Sequence, residues 1–306
     1  MATVSVIIPT YNRAATVGRA VRSVLRQSFR DVEVIVVNDG STDDTPEVIA
    51  GFADPRLRYV VHAMNRGGGA ARNTGIDAAG GEYIAFLDAD DEWLPKKLER
   101  QIAVMQHSDA AVAAIYTGFA VVATGGRVAA VRIPRHRGGI LSQLWCANVV
   151  RTVSTVLVRR TALQHVGGFD PTLPSCQDWD LWLRLAKVYQ FDFLPQVLVR
   201  YHAASAGRIT EDARAVVDGH VRIAEKYLDE AQHIPARDRA RHLFALGRRL
   251  ILLGYALDAA RAKKLGRAML LRAIRTRPAA VWMLLPAPSL IHDLLLVSRG
   301  AEQPNE

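Results

Sequence analysis

Val4-Ser5-Val6-Ile7-Ile8-Pro9-Thr10-Tyr11-Asn12-Arg13 is an apolar run that ends abruptly in polar residues. Val4–Ile8 reads as a buried strand, because nearly every side chain in it is apolar. Ala14–Gln27 follows, with Val17, Val21, Val24 and Leu25 at helical spacing. The alternation then repeats outward from this unit. Glu33–Val37 reads as a strand, Thr45–Phe52 as a helix, Leu57–Val61 as a strand, Gly67–Ala79 as a helix and Tyr83–Leu87 as a fourth strand. Such alternation predicts right-handed βαβ units and a mostly parallel α/β sheet with helices on both faces. Ligands of such sheets collect at the carboxyl ends of the strands.

Those ends are polar and distinctive. The first carries Pro9-Thr10-Tyr11-Asn12, the second Asn38-Asp39-Gly40-Ser41-Thr42-Asp43-Asp44, and the fourth Asp88-Ala89-Asp90-Asp91-Glu92-Trp93. The third connection holds Asn65-Arg66-Gly67-Gly68-Gly69-Ala70-Ala71-Arg72-Asn73. Carboxylates crowded at one strand–loop corner repel unless a cation or solvent relieves them. Asp88, Asp90 and, more weakly, Asp91 are therefore candidate ligands for Mg²⁺ or Mn²⁺, which take hard oxygen donors shared with phosphates. The plain alternative is a solvated acidic turn before the helix at Pro95, and the three neighbouring polar strand ends weigh against it. Asp39 can accept hydrogen bonds from a nucleobase imide or from ribose hydroxyls. Asp43 and Asp44 suit helix-start roles instead. Gly67–Gly69 allows close backbone approach to a ligand, and Arg72 could grip a diphosphate bidentately. This loop fits neither the dinucleotide GxGxxG nor the P-loop spacing.

Further along, Ala110–Val122 and Arg127–Val131 read as strands around Gly125-Gly126. Ser154–Val158 reads as a strand, Arg160–Val166 and Asp178–Val188 as helices, and Phe191–Tyr201 as a closing strand. After Glu211 the pattern is helical, over about 212–230, 237–253, 256–276 and 290–298. The expected division is a catalytic domain over 1–210 and a basic helical region over 211–306.

The four motifs in this order resemble glycosyltransferase family 2 over roughly residues 3–205: Val4–Asn12, Val37–Asp43, Gly69–Gly75 and Phe86–Asp91. The resemblance implies the GT-A fold, a Rossmann-like sheet flanked by helices, here with a helical C-terminal appendage. It also implies an inverting enzyme that moves a sugar from a nucleoside-diphosphate donor to an acceptor hydroxyl. UDP is the carrier it favours, with dTDP and GDP open; the acceptor class is a glycan or lipid-linked glycan of cell-surface polysaccharide or glycoconjugate synthesis. The family places its catalytic base in a Glu/Gln-Asp pair opening a later helix. Ser175-Cys176-Gln177-Asp178-Trp179-Asp180 matches, so Asp178 takes that role. Helical spacing separates the two acids. Asp180 stands four residues before Arg184, as in a surface ion pair, whereas Asp178 heads the apolar row Leu181, Trp182, Leu185. Pro9, Thr10, Tyr11, Asn12, Asp39, Arg72 and Asp88 are the expected nucleotide-sugar contacts. Trp179 or Trp182 could line the acceptor site, with plain core the competing reading, and His202 is a weak candidate for metal or phosphate.

Composition narrows the remaining classes. The chain has 306 residues, half of them hydrophobic, which excludes disorder and suits one large or two moderate domains. Two cysteines, Cys146 and Cys176, exclude a disulfide scaffold and a Cys-rich zinc site. Net charge is +9, yet residues 237–277 alone carry 12 basic and 2 acidic side chains. The surplus thus belongs to the tail, where 237–298 could meet an anionic membrane surface, a protein partner or only solvent. Nucleic acid is not expected, since no aromatic–basic interleaving accompanies the charge. No secretory signal pattern opens the chain, and the apolar tract Ala279–Val297 is interrupted by Pro286, Pro288, His292 and Asp293. The expected location is cytoplasmic, or peripheral at the inner face of the membrane. Two competing functions stay in view. A sugar-nucleotide nucleotidyltransferase would need a Gly-rich loop with Arg or Lys after the first strand, and an inactive sugar-nucleotide-binding module would lack Asp88, Asp90 or Asp178.

Overall fold

The computed structural model of the chain describes residues 2–203, 208, 211–228, 230, 235–256 and 259–277. The chain forms two compact units, one of Met1–Leu144 with Asn148–Arg208, the other of Trp145–Ala147 with Ile209–Glu306.

The first unit runs β1 (Val4–Thr10), α1 (Ala14–Leu25), β2 (Val32–Asn38), α2 (Thr45–Ala50), β3 (Leu57–Val61), α3 (Gly68–Ala78) and β4 (Tyr83–Phe86). It continues with β5 (Glu92–Trp93), α4 (Lys97–His107), β6 (Val112–Val122), β7 (Val128–Arg132), α5 (Leu141–Cys146), β8 (Val156–Arg159), α6 (Arg160–Val166), α7 (Gln177–Ala186) and β9 (Gln190–His202). The strands order as β3-β2-β1-β4-β8-β6-β9-β5, with β7 paired to β6. β1 pairs in parallel with both β2 and β4, and β2 with β3. From β8 onward the pairing turns mixed: β8 is antiparallel to β4 and β6, while β6 and β9 run parallel.

That order explains where a ligand belongs. The chain winds from β1 through β2 to β3, then returns across β1 to lay β4 on its other side. The strand order therefore reverses between β1 and β4, and the crevice beyond their carboxyl ends is a switch point. α3 makes the return crossing, and Gly75 lets it lie flat: a Cβ there would sit 2.4 Å from Ile7 Cγ2 on β1. α1 shows how the neighbouring ends are tied. Its start has no cap from its own side chains; instead Asp43 accepts the Ala14 N–H at 3.0 Å and Thr45 Oγ1 accepts the Arg13 N–H at 2.9 Å. Two donors that helix geometry leaves unpaired are thus satisfied by the loop after β2. Asp43 takes the structural role expected of it.

The core of this unit packs Val6, Ile8, Val34, Val36, Ala85 and Leu87 against the α1 face Val17, Val21 and Val24. β1 and β2 are largely buried on both faces, which accounts for the near-continuous apolar runs in the sequence. Trp179 and Trp182 are fully enclosed; the Trp179 indole N–H donates to the Leu144 carbonyl at 2.7 Å. They are core, not a sugar platform. Asp180 departs from its expected surface pairing. It is 0% exposed and holds Arg184 Nε at 2.9 Å, while Arg184 also reaches the carbonyls of Val166, Gly167 and Gly168. Helical spacing foretold the pair, but the loop after α6 folds over it.

The second unit contains α8 (Ala213–Leu228), α9 (Ala236–Ala256) and α10 (Ala260–Thr276). α9 and α10 pack through Leu246, Leu250, Ile251, Met269, Leu270 and Ala273, and their backbones close at Gly247 and Gly266. A Cβ on Gly247 would lie 2.8 Å from the Gly266 carbonyl oxygen. Trp145 packs edge-on against Tyr227 and His242, with ring centroids 5.5 and 4.6 Å apart. Burial lowers His220 and His242 from 6.5 to about 4. A depressed folded value means their stabilising contribution is whole above pH 6.5 and lost as pH falls toward 4. The thermal midpoint followed by circular dichroism is therefore expected to fall over that window, and the H220Q/H242Q variant to lose that part of the fall. An identical pH profile in the variant counts against it. Among the described residues no helix is long and apolar enough to cross a membrane. The expected helix at 290–298, the tract Ala279–Val297 and the part of 237–298 beyond 277 lie outside the described residues.

Candidate functional site

The acidic corner follows β4 directly. Asp88, Asp90 and Asp91 each place a carboxylate oxygen within 4.8 Å of the others, the group among the described residues able to hold a metal ion. Burial and then the neighbouring carboxylates push Asp90 and Asp91 above the ordinary carboxylate range. Arg208 opposes this, 3.3 Å from Asp90 Oδ2. The three acids do not have equal access. Asp91 is 0% exposed, accepts the Ser154 hydroxyl at 2.7 Å on one oxygen and the His202 N–H at 3.2 Å on the other. Ser154 also accepts the Asp88 N–H at 3.1 Å, so one hydroxyl braces both acids. Hard oxygens held this close, with two carboxylates pushed toward protonation, fit a divalent cation. Asp88 and Asp90 are the ones with capacity left for it. The His202 imidazole turns to Glu92, 3.7 Å away, and burial lowers its pKa.

The start of α7 faces this corner through one arginine. Arg72, on α3, donates to Asp88 Oδ1 at 2.7 Å and to Gln177 Oε1 at 3.2 Å. Its Nε is buried without a partner, a donor that fits a ligand oxygen. α7 begins after Cys176, whose φ of 61° turns the chain sharply into the helix. Asp178 then sits in the first turn, where the helix dipole favours an acid. One of its oxygens accepts the Asn148 amide at 2.8 Å, the other the Trp179 N–H at 2.8 Å. Burial raises the Asp178 carboxyl; these two bonds and the Arg72 charge pull it back, and the Asp88 charge adds to the rise. The mutual influence puts Asp178, Arg72 and Asp88 in one electrostatic group.

A third cluster surrounds Asp39, which is 2% exposed. Its backbone N–H donates to the Thr10 carbonyl at 2.8 Å, joining the ends of β1 and β2. Asn12 adopts φ 50°; its N–H donates to Ser41 Oγ at 2.9 Å and its Oδ1 accepts the Thr42 N–H at 2.8 Å. Thr10 Oγ1 is buried with no partner, Tyr11 is 43% exposed, and Pro9 pairs in register with Val37. The predicted residues thus stand in three groups: Thr10, Asn12 and Asp39; Asp88, Asp90 and Asp91; Arg72 and Asp178. Arg72 ties the last two. Four further residues, His62, Asn148, Ser154 and Arg208, contact the candidate residues directly and were missed in the sequence. His62 had a signal, one position beyond a strand end, whereas Asn148, Ser154 and Arg208 carry none.

Three comparisons bear on this arrangement. A family model described as "Glycosyl transferase family 2" matches residues 5–167. The Escherichia coli UDP-Glc:alpha-D-GlcNAc-diphosphoundecaprenol beta-1,3-glucosyltransferase WfgD is 31% identical over 184 residues, 60% of this chain and 70% of that protein. Several Rickettsia relatives match as uncharacterized glycosyltransferases, and the chain spans about a third of their length. Among solved structures, S. aureus TarS 1-349 in complex with UDP-GlcNAc has a TM-score of 0.57 at 19% identity, covering 89% of each chain. A mannosyltransferase from Pyrobaculum calidifontis in complex with GDP-Man and Mn2+ has a TM-score of 0.54 at 23% identity, covering 98% of this chain and 80% of its own.

Proposed function

The chain belongs to glycosyl transferase family 2 and has the GT-A fold, and from this premise we propose that it transfers a sugar from a nucleoside-diphosphate sugar to an acceptor hydroxyl with inversion. The observation that carries the reading is Arg72, which joins the carboxylates after β4 to the first turn of α7. In the proposed reaction, the acceptor oxygen attacks the anomeric carbon from the face opposite the leaving group. The carbon–oxygen bond to the diphosphate breaks, and its electron pair leaves with the nucleoside diphosphate. Asp178 takes the acceptor proton; burial raises its carboxyl above the usual value, which makes it a stronger base. Asp39, with Thr10 and Asn12, holds the nucleoside, and the unpartnered Arg72 Nε–H donates to a phosphate oxygen. Asp88 and Asp90 would hold Mn²⁺ or Mg²⁺, whose charge stabilises the departing diphosphate.

The acceptor we infer is a lipid-linked or growing cell-surface glycan. The name of WfgD describes a diphosphoundecaprenol-linked acceptor, and the 12-to-2 basic excess over 237–277 suits an anionic surface. The test is nucleotide release from a panel of UDP-, dTDP- and GDP-sugars in Mn²⁺ or in EDTA. Release from at least one donor, lost in EDTA, is the expected result. Failure of every sugar nucleotide to bind in Mn²⁺ overturns the reading.

A further inference from the structure

His62 stands one residue past β3, its N–H donating to the Asn38 carbonyl at 2.8 Å. Its Nδ1 lies 2.7 Å from Asp39 Oδ1 and its Nε2 lies 2.9 Å from Thr74 Oγ1. A ring nitrogen facing a carboxylate carries the hydrogen, so Nδ1 donates to Asp39. The ring is held at both ends, by β2 through Asp39 and by α3 through Thr74, and both members of the Asp39 pair are buried. Two backbone donors complete the set. The Arg66 N–H reaches the same Oδ1 at 2.9 Å, and the Gly67 N–H reaches Oδ2 at 2.8 Å.

A carboxylate offers about four acceptor positions, two on each oxygen. Three are taken here, and both on Oδ1. We propose that His62 sets the nucleotide preference of this site: by filling Asp39 Oδ1 it leaves one acceptor on Oδ2, which fits the single imide N–H of uracil or thymine. Guanine presents two adjacent N–H donors that ask for one acceptor on each oxygen, and Oδ1 has none to offer. Cytosine and adenine present a ring-nitrogen lone pair at the equivalent edge, which a carboxylate repels. The proposal rests on the glycosyltransferase reading above and deepens it, naming the donor as a uridine or thymidine diphosphate sugar. His62 acts through Asp39 and is a positioning residue.

The test is calorimetric binding of UDP, dTDP, CDP, ADP and GDP to the full chain in Mn²⁺, for the wild type and for His62→Phe. The wild type is expected to bind UDP and dTDP at least about tenfold more tightly than the other three. Removing the imidazole donor in His62→Phe reopens Oδ1, and the UDP-to-GDP affinity ratio is expected to shrink about tenfold. A residue that only supported the loop would weaken all five nucleotides alike, and an unchanged ratio overturns the proposal. GDP bound as tightly as UDP by the wild type also overturns it, without needing any variant, and leaves the glycosyltransferase reading in place. Binding of no nucleotide at all defeats that reading instead.

Discussion

Asp178→Asn is expected to lower nucleotide release from the cognate donor by about 10²- to 10⁴-fold, the span of general-base catalysis. The substitution keeps the shape of the side chain, and its one amide oxygen can still accept the Trp179 N–H, while the Asn148 amide loses its acceptor. It removes the capacity to take a proton while leaving the nucleotide contacts in place. Nucleotide affinity in Mn²⁺ should therefore change by no more than about twofold, which places the loss in turnover. The pH profile gives a second readout. Burial raises the Asp178 carboxyl above its usual value of 3.8, and the base acts only when deprotonated. The acid limb of turnover in the wild type should accordingly sit above the ordinary carboxylate range, with activity lost as pH falls through it. An Asp178→Asn enzyme that turns over at the wild-type rate would place the base elsewhere.

Asp90→Asn is expected to cost about 10²- to 10³-fold in turnover by a different route. Here the loss should appear in metal dependence. A divalent ion that binds the folded state raises its thermal midpoint, so the wild type should gain stability on Mn²⁺ addition and Asp90→Asn should gain little. The variant also leaves Arg208 without its carboxylate partner in a buried setting, so each protein is compared with itself, with and without Mn²⁺. Asp91→Asn makes the contrast. Both Asp91 oxygens already serve Ser154 and the His202 N–H, so this change should disturb the corner's folding more than its metal affinity. Equal Mn²⁺ shifts in wild type and Asp90→Asn would remove Asp90 from the metal site.

Much of this was readable before any coordinates. Val4–Ile8, Leu57–Val61 and Arg160–Val166 announce their elements because apolar spacing and turn residues act locally. The polar strand ends were legible for the same reason, since a parallel sheet sends every carboxyl end to one edge. The short strand Glu92–Trp93 and helix Leu141–Cys146 were not foreseen. Two residues of strand have no periodicity to read, and a six-residue helix offers barely more than one turn. Trp179 and Trp182 could be read either as core or as a sugar platform, because composition alone does not say which face is covered.

The sequence by itself therefore determined which side chains are the candidates for the proposed chemistry: Asp39, Arg72, Asp88, Asp90 and Asp178 all stand beside local signals, a strand end or a helix start. Tertiary structure decided how each is held and what it has left to offer. Arg72 meets Gln177 across 105 residues, Ser154 meets Asp91 across 63, and the His202 N–H meets Asp91 across 111. Such contacts exist only because the strand order reverses between β1 and β4 and brings β8 beside β4. Even His62, only 23 residues from Asp39, takes its acceptor through the pairing of β2 with β3. A residue's type is local, but the number of hydrogen bonds left open on it depends on everything packed around it.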